Sequence, residues 1–138
     1  TYKNENGVST PVIMGCYGVG ITRLLGTLVE VHHDDKGIVW PEAVAPFKVH
    51  LIKIGDKREV GDFAENLYKN LLEKGIEVLF DDRDDVSVGE KFAEADLIGL
   101  PIRAVVSEKT ISKNQIEIKK RSGDLASLVS EEEFLKEL

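Results

Sequence analysis

Short apolar segments alternate with amphipathic helical stretches between residues 48 and 106, and this alternation constrains the fold more than any other feature. We expect strands at Lys48–Ile54, Ile76–Phe80 and Ile102–Val106. We expect a helix from about Arg58 to Lys74, where apolar residues recur every three or four positions, and a second helix from about Gly89 to Ile98. Helical crossovers between apolar strands favour right-handed parallel units whose sheet is covered on both faces. The chain is therefore predicted to be an α/β protein with a mainly parallel sheet.

The last third of the chain carries two further signals. Gln115–Lys120 alternates apolar and polar residues, which is typical of an edge or half-exposed strand. Ser130 is followed three residues later by Glu133, which is the spacing of a capping box. This pair predicts a short C-terminal helix that ends at Leu138.

A separate strand and helix are predicted at the start of the chain. Pro11–Tyr17 is short and apolar, as in a buried strand, and apolar residues then recur at helical spacing from Ile21 to Val31. The next segment, Gly37–Phe47, contains two prolines and has no periodicity, so we interpret it as an extended crossover between two folding units. We place the boundary near Ala45, which gives units at 1–45 and 46–138.

Net charge limits the partners that the chain can bind. With 18 basic and 25 acidic residues the formal charge is −7, which argues against non-specific binding to nucleic acids or anionic membranes. A nucleic-acid site must therefore be a local patch. No segment approaches the roughly 18 apolar residues that cross a bilayer, so we expect no membrane partner.

The single cysteine, Cys16, permits neither an internal disulfide nor a zinc ribbon, and it fits a reducing, cytoplasmic location. Because it lies in the predicted apolar strand without a matched His and Asp, we expect a buried structural thiol.

The run from His32 to Asp35 contains metal-ligand residue types, but consecutive residues at a helix end point in different directions. We predict no metal site. The polar start at Thr1, without Met, indicates a chain cut from a longer one.

A glycine-rich turn precedes the first predicted helix. Gly15, Gly18 and Gly20 allow the backbone to approach a ligand, and Arg23 follows on the first helical turns, a combination that suits phosphate. The spacing is neither that of a dinucleotide-binding turn nor that of a P-loop. Spacing alone leaves a plain tight turn and a nucleotide site both open.

An acidic loop, Asp81–Asp85, follows the strand predicted at Ile76–Phe80. It lacks the glycine and the terminal Glu of a calcium loop, and open α/β sheets bind ligands at the carboxyl ends of their strands. Arg83 and Lys91, together with Lys119–Arg121, are predicted to form a basic strip at that edge. The strip is either an ordinary solvent-facing charge run or an RNA-binding patch.

Several strings stand in the order found in one family. Met14–Glu30 and Gly37–Ile52 resemble bacterial-type prolyl-tRNA synthetases, and the glycine turn with Arg23 is similar to motif 3 of the class II synthetases. The strings that resemble the family's C-terminal anticodon-binding domain are Asp81–Arg83, Val88–Arg103 and Ile116–Gly123. The resemblance implies an anticodon-binding-domain fold, with a mixed, mainly parallel sheet of about five strands flanked by helices. A strand–helix remnant of the class II catalytic domain precedes it.

The resemblance implies that the parent protein is a proline–tRNA ligase, a homodimer that activates proline with ATP, with Mg²⁺, and transfers it to proline tRNA. By the same resemblance, Gly18 and Gly20 let the backbone approach ATP, and Arg23 contacts the γ-phosphate and the adenine. Motifs 1 and 2 of the family have no counterpart in these residues. We therefore expect this fragment alone to be catalytically inactive and to hold no cofactor tightly.

The resemblance also implies that the second unit recognises the anticodon of proline tRNA. Proline anticodons carry guanine at their second and third positions. Carboxylates accept from guanine N1 and N2, whereas Lys and Arg donate to O6 and N7. The positions that the resemblance assigns to this contact are Glu77, Arg83, Asp84, Lys91, Lys109 and Lys119.

Two functions of other classes remain open. The first is a freestanding protein-interaction module with an anticodon-binding-like fold and no ligase activity. The second is an independent nucleotide-binding enzyme. The intact glycine turn with Arg23 disfavours the first, and the second requires that the chain bind ATP by itself.

Overall fold

The computed structural model of the chain describes residues 1–138. Its elements in chain order are β1 (Tyr2–Lys3), β2 (Ser9–Thr10), α1 (Ile21–Val31), β3 (His33–Asp34), β4 (Gly37–Ile38), a 3-10 turn (Glu42–Val44), β5 (Val49–Ile54), α2 (Arg58–Glu73), β6 (Val78–Asp81), α3 (Val88–Ile98), β7 (Ile102–Ser107), α4 (Glu108–Ile111), β8 (Ile116–Lys120), β9 (Ala126–Val129) and α5 (Glu131–Glu137). None of the helices has both the length and the apolar character needed to span a bilayer.

Five strands form the main sheet, in the order β6-β5-β7-β8-β9. β5 runs parallel to β6 and β7, whereas β8 is antiparallel to both β7 and β9. The parallel strands are connected through α2 and α3, as parallel pairs require. The predicted mixed sheet of about five strands flanked by helices is confirmed, although its parallel and antiparallel pairings are equal in number, two of each.

Helices cover both faces of this sheet. The first face is covered by α2, whose buried stripe consists of Val60, Ala64, Leu67 and Leu71. Phe134 of α5 is fully buried in the same cluster. On the second face, Ala95 of α3 packs against Ile52 and Val105. Each fully buried Val, Leu or Phe contributes about 1.5 to 3 kcal/mol, so the larger α2 cluster is the main source of hydrophobic stabilisation.

Local capping signals set the helix ends. α2 ends at Glu73, followed by Gly75 with φ of +75°, as the Lys74-Gly75 stop signal predicts. The Ser87 hydroxyl accepts from the backbone N–H of Glu90 at the start of α3. Ser130 and Glu133 form the predicted reciprocal capping box at the start of α5.

The N-terminal strand prediction is wrong. Residues 11–20 form no regular element, and Ile13 and Tyr17 are 98% and 99% exposed. A strand needs a hydrogen-bonded neighbour, and none of the described strands lies beside this segment. Cys16 is consequently exposed rather than buried. The predicted helix does form as α1, but it buries none of its residues.

The C-terminal part of the sheet differs from the prediction in one respect. β8 alternates buried and half-buried residues, so its half-exposed character is confirmed. It is not an edge strand, because β9 pairs with it. We did not predict β9 or the one-turn helix α4. Both are very short, and their sequences carry too few residues to show a period.

The segment after α1 contacts α3 and also Arg121, which follows β8, and the sequence did not indicate either contact. Asp34 accepts two hydrogen bonds from Arg121, both 2.7 Å long. The Trp40 indole N–H donates to the Ile98 carbonyl at 3.0 Å. Gly37, in β4, lies against the backbone of Leu97. The β3–β4 hairpin is therefore attached to the end of α3.

Candidate nucleic-acid interface

Parallel strands β5, β6 and β7 end at one edge of the sheet, which we call the carboxyl rim. It consists of the ends of these strands and the residues that follow them, 55–57, 82–87 and 108–111. Loops at such an edge are free of the hydrogen-bonding demands of the sheet, which is why ligands of open α/β sheets bind there.

An ion network centred on Asp81 organises one side of this rim. Arg83 donates to both carboxylate oxygens of Asp81, through Nε at 3.0 Å and Nη2 at 2.7 Å. Nη2 also donates to Glu94 on α3. The Lys91 ammonium lies 3.3 Å from the same Asp81 carboxylate. Asp81 is buried, so the loop is fixed from beneath while Arg83 stays 43% exposed at the surface.

Charge pairing in this network keeps the Asp81 carboxyl and the Arg83 guanidinium ionised. Hydrogen bonds from Arg83 hold the pKa of the Asp81 carboxyl well below its usual range. The Asp81 and Glu94 carboxylates raise the pKa of Arg83 in turn. Both groups are therefore ionised at neutral pH, and the guanidinium is held in one orientation with its Nη1 free of any hydrogen bond within the chain.

Lys91 is not part of an exposed basic strip. Its side chain is only 3% exposed, and Nζ donates to the backbone carbonyl of Lys53 at 2.9 Å. Lys91 and Ala95 lie one turn apart on the buried face of α3. A buried ammonium needs a counter-charge and acceptors, and it finds both at Asp81 and Lys53. Lys91 supports the rim from inside.

Two other predicted residues lie at the carboxyl rim with free surface. Asp84 is 61% exposed and pairs with Lys53 Nζ at 2.7 Å. Lys109 is exposed on α4 and forms no ion pair. A cavity of about 240 Å³, the rim pocket, is lined here by residues that include Lys53, Arg83, Asp84 and Lys91. The rim thus presents both signs of charge around a concave surface.

The remaining two predicted residues lie away from the carboxyl rim. Lys119 pairs in register with Arg103, near the start of β7, because β8 runs antiparallel and carries its later residues away from the rim. Glu77 precedes β6, and its carbonyl accepts from the Lys48 backbone N–H. The expectation that Lys119 shares a sheet edge with Arg83 is therefore wrong. The strip is also broken at Arg121, which pairs with Asp34.

The residues assigned to ATP are exposed and close together in sequence at the start of α1. Gly20 caps the helix in an extended conformation, and a Cβ at Gly18 would meet no atom within 4 Å. Arg23 makes no side-chain hydrogen bond or ion pair.

No group of three or more His, Cys, Asp or Glu side chains is arranged to hold a metal ion.

The sequence model of the family described as "Anticodon binding domain" matches residues 48–138. The chain belongs to the anticodon-binding-domain family. The matched part contains the whole five-stranded sheet and the carboxyl rim. Within this anticodon-binding domain, the carboxyl rim presents the exposed Arg83 and Asp84 side chains described above.

Individual relatives match almost the entire chain. A proline–tRNA ligase of Thermosipho melanesiensis is 48% identical over 97% of the chain, and one of Bacillus pumilus is 47% identical over 98%. A third, from Halothermothrix orenii, is 41% identical over the full chain. The matches therefore include the residues before the anticodon-binding domain. The chain spans 23 to 24% of the length of these relatives.

Sequence reasoning missed the residues that position the site. The sequence pattern makes Asp81 one member of an acidic loop, but in the structure it is the last residue of β6 and its side chain is buried. Glu94, which holds Arg83, was not singled out. Lys91 stands four residues before buried Ala95 on α3, but the apolar face of α3 is poorly defined, so the sequence signal for burial of Lys91 was weak. That spacing places a lysine on the core face, where it requires a carboxylate.

Proposed function

We propose that this chain supplies the anticodon-recognising part of a proline–tRNA ligase, and that its carboxyl rim contacts the guanines of the proline anticodon. The observation that supports this most strongly is the exposed Arg83, fixed by Asp81 and Glu94, in a domain that matches the anticodon-binding family. Units at 1–45 and 46–138 remain the proposed division, with the first belonging to the catalytic domain.

The chemistry of the rim fits guanine. Arg83 Nη1 has two unused N–H donors, which suit the O6 and N7 acceptors. The exposed Asp84 carboxylate has oxygens that suit the N1 and N2 donors. Lys109 lies beyond the end of β7, and its ammonium group suits a phosphate of the tRNA anticodon loop. Because the chain carries a net charge of −7, affinity has to come from such local contacts rather than from long-range attraction.

The rest of the ligase reaction is proposed by similarity to the relatives. Such an enzyme activates proline with ATP and Mg²⁺ and transfers it to proline tRNA, and Gly18, Gly20 and Arg23 would contact the ATP. We propose a cytoplasmic homodimer for the whole enzyme and no catalysis by these 138 residues alone. Matches that cover 97% or more of the chain favour this function over a freestanding interaction module.

Replacing Arg83 with alanine tests the function directly. We expect the substitution to weaken binding of a proline anticodon stem–loop by about 1 to 3 kcal/mol, roughly 5- to 150-fold, because a base contact is lost. Lys91 still supplies a counter-charge to Asp81 in this variant, so we expect the fold to be retained. Fluorescence anisotropy of a labelled stem–loop at fixed salt measures the effect.

Lys74→Ala is a matched control, because it removes one positive charge, as Arg83→Ala does. Lys74 is exposed beyond the end of α2, away from the carboxyl rim. Lys74→Ala is expected to leave the affinity unchanged within about twofold. Equal losses in Arg83→Ala and Lys74→Ala would show that only overall charge matters, and would contradict the proposed role of Arg83.

A further inference from the structure

Arg121 joins the β3–β4 hairpin to the anticodon-binding domain. It follows β8, and its side chain is only 8% exposed. Nη1 and Nη2 donate to the two carboxylate oxygens of Asp34 in β3, and Nε donates to the backbone carbonyl of Asp96 in α3 at 3.1 Å. A bidentate guanidinium–carboxylate pair fixes the angle as well as the distance between its partners. One side chain therefore orients the hairpin relative to α3.

Stability alone explains this arrangement poorly. Taking a guanidinium out of water costs free energy that offsets much of its attraction to a carboxylate, so apolar side chains often stabilise such a position as well. Arg121 instead imposes one geometry, because three of its N–H groups have fixed acceptors. Asp34 is fixed as well, since its Oδ1 also accepts from the backbone N–H groups of Lys36 and Gly37 in the hairpin turn.

α3 connects the hairpin with the carboxyl rim. Near its middle, Glu94 accepts a hydrogen bond from Arg83 at the rim. At its C-terminal end, the Ile98 carbonyl accepts from the Trp40 indole N–H at 3.0 Å, and the Gly99 carbonyl accepts from the Trp40 backbone N–H at 3.1 Å. The rim and the hairpin are thus bound to the same helix of 11 residues, which keeps them in a defined relative position.

The hairpin in turn sets the position of α1, because only His32 separates α1 from β3. α1 buries none of its residues, and its apolar side chains are exposed, for example Ile21 by 79% and Leu25 by 52%. A helix with an uncovered apolar face needs a neighbour to cover it, and this chain spans only 23 to 24% of the length of its relatives. In the ligase proposed above α1 belongs to the catalytic domain, so the hairpin connects the two domains.

Resting on that proposed ligase function, we propose that Arg121 and Asp34 form a positioning pair that fixes the catalytic domain relative to the anticodon-binding domain. Arg121 is remote from the carboxyl rim, because its backbone N–H donates to Pro101, just before β7 begins. The residues assigned to ATP lie at the opposite end of α1 from Asp34. The pair thus acts on neither site directly. It determines where the 3′ end of a tRNA held by its anticodon meets the activated proline.

The test separates three steps of the whole ligase. Arg121→Gln is compared with the wild type in proline-dependent ATP–pyrophosphate exchange, in binding of a proline anticodon stem–loop, and in aminoacylation of proline tRNA. We expect kcat/KM for aminoacylation to fall by roughly 5- to 100-fold, because a misplacement of about 1 Å can cost about 100-fold in rate. Exchange involves no tRNA, so exchange and stem–loop affinity should each stay within about twofold of the wild type.

Three further variants complete the design. Asp34→Asn is milder, because its amide keeps an oxygen for the hairpin turn, and it should show the same selective loss. Since the two residues act as one pair, the double variant should lose no more aminoacylation than the more affected single variant. Lys69→Gln is the control: it removes one positive charge and an ion pair with Glu65 on α2, where Lys69 is 64% exposed. Exposed pairs contribute little, so this variant should match the wild type in all three assays.

Each outcome decides the proposal. A loss confined to aminoacylation supports the positioning pair. Unchanged aminoacylation in Arg121→Gln, or a loss in the double variant equal to the product of the single losses, would overturn it. A parallel fall in all three assays would show that Arg121 only supports the fold, and would overturn it as well. If the wild-type ligase charges proline tRNA no better than a tRNA for another amino acid, the proposed function itself fails, whatever the variants do.

Discussion

Replacing Asp81 with asparagine should lower the free energy of unfolding by about 3 to 5 kcal/mol, because it leaves the buried Lys91 ammonium without its counter-charge. The side chains of Asp81 and Lys91 are 6% and 3% exposed, so water cannot compensate. The amide also loses one of the two oxygens that Arg83 contacts. Urea unfolding followed by circular dichroism measures the change.

Asp85→Asn in the same loop is the matched control for this prediction. Asp85 is exposed, so its amide variant should lie within about 0.5 kcal/mol of the wild type. Adding Lys91→Met to Asp81→Asn should recover part of the lost stability, since the uncompensated charge is then removed. Equal stabilities of Asp81→Asn and Asp85→Asn would show that the buried pair does not hold the rim.

The pH dependence of the same variant has a defined sign. The pKa of Asp81 is lowered in the folded chain, so its stabilising contribution is complete above the unfolded pKa of about 3.9 and is lost as the pH falls further. The wild type should therefore lose stability more steeply than Asp81→Asn below about pH 4. Other carboxylates with lowered pKa, such as Asp34, remain in both proteins, so the difference isolates Asp81.

Gly99→Ala should destabilise the chain by about 2 to 5 kcal/mol, since strain and overpacking act together. Gly99 ends α3 with φ of +74°, which disfavours a side chain, and a Cβ there would overlap the Ile38 carbonyl. The clash lies where the β3–β4 hairpin meets α3. We expect the hairpin to detach and the emission of Trp40, the single tryptophan, to shift to the red.

Gly61→Ala is the control for Gly99→Ala. Gly61 is in the interior of α2, and a Cβ there would meet nothing within 4 Å. Alanine should stabilise this helix by about 0.5 to 1 kcal/mol. An unfolding midpoint and a Trp40 emission maximum unchanged by Gly99→Ala would contradict the packing described for the hairpin.

The elements of the α/β unit could be predicted because their signals are local. α2 shows apolar residues at helical spacing, and Ser130 with Glu133 caps α5 through contacts three residues apart. The segment at Pro11–Tyr17 carries an equally clear local signal. The strand prediction for this segment failed because a strand forms only beside another strand, and the segment itself does not encode its pairing partner.

The candidate site could be predicted by location but not by role. Arg83 and Asp84 follow a strand, so their place at the carboxyl rim followed from topology. The position of Lys119 required the direction of β8, and an alternating segment has the same pattern in parallel and antiparallel pairing. Burial of Lys91 depended on Asp81, a partner ten residues earlier in the chain. An ion pair between two secondary-structure elements produces no periodic pattern in the sequence, so it could not be predicted.

The most direct test of the central claim is to map the RNA contact on the chain. The ¹⁵N-labelled protein is titrated with a proline anticodon stem–loop, and with a loop in which cytosines replace both guanines. We predict that the guanine loop shifts the Arg83 Nε resonance and the amides of residues 82–87, and that the cytosine loop leaves them largely in place. Equal shifts with both RNAs, or shifts confined to residues near Glu77 at the opposite edge of the sheet, would contradict recognition of the anticodon at the carboxyl rim.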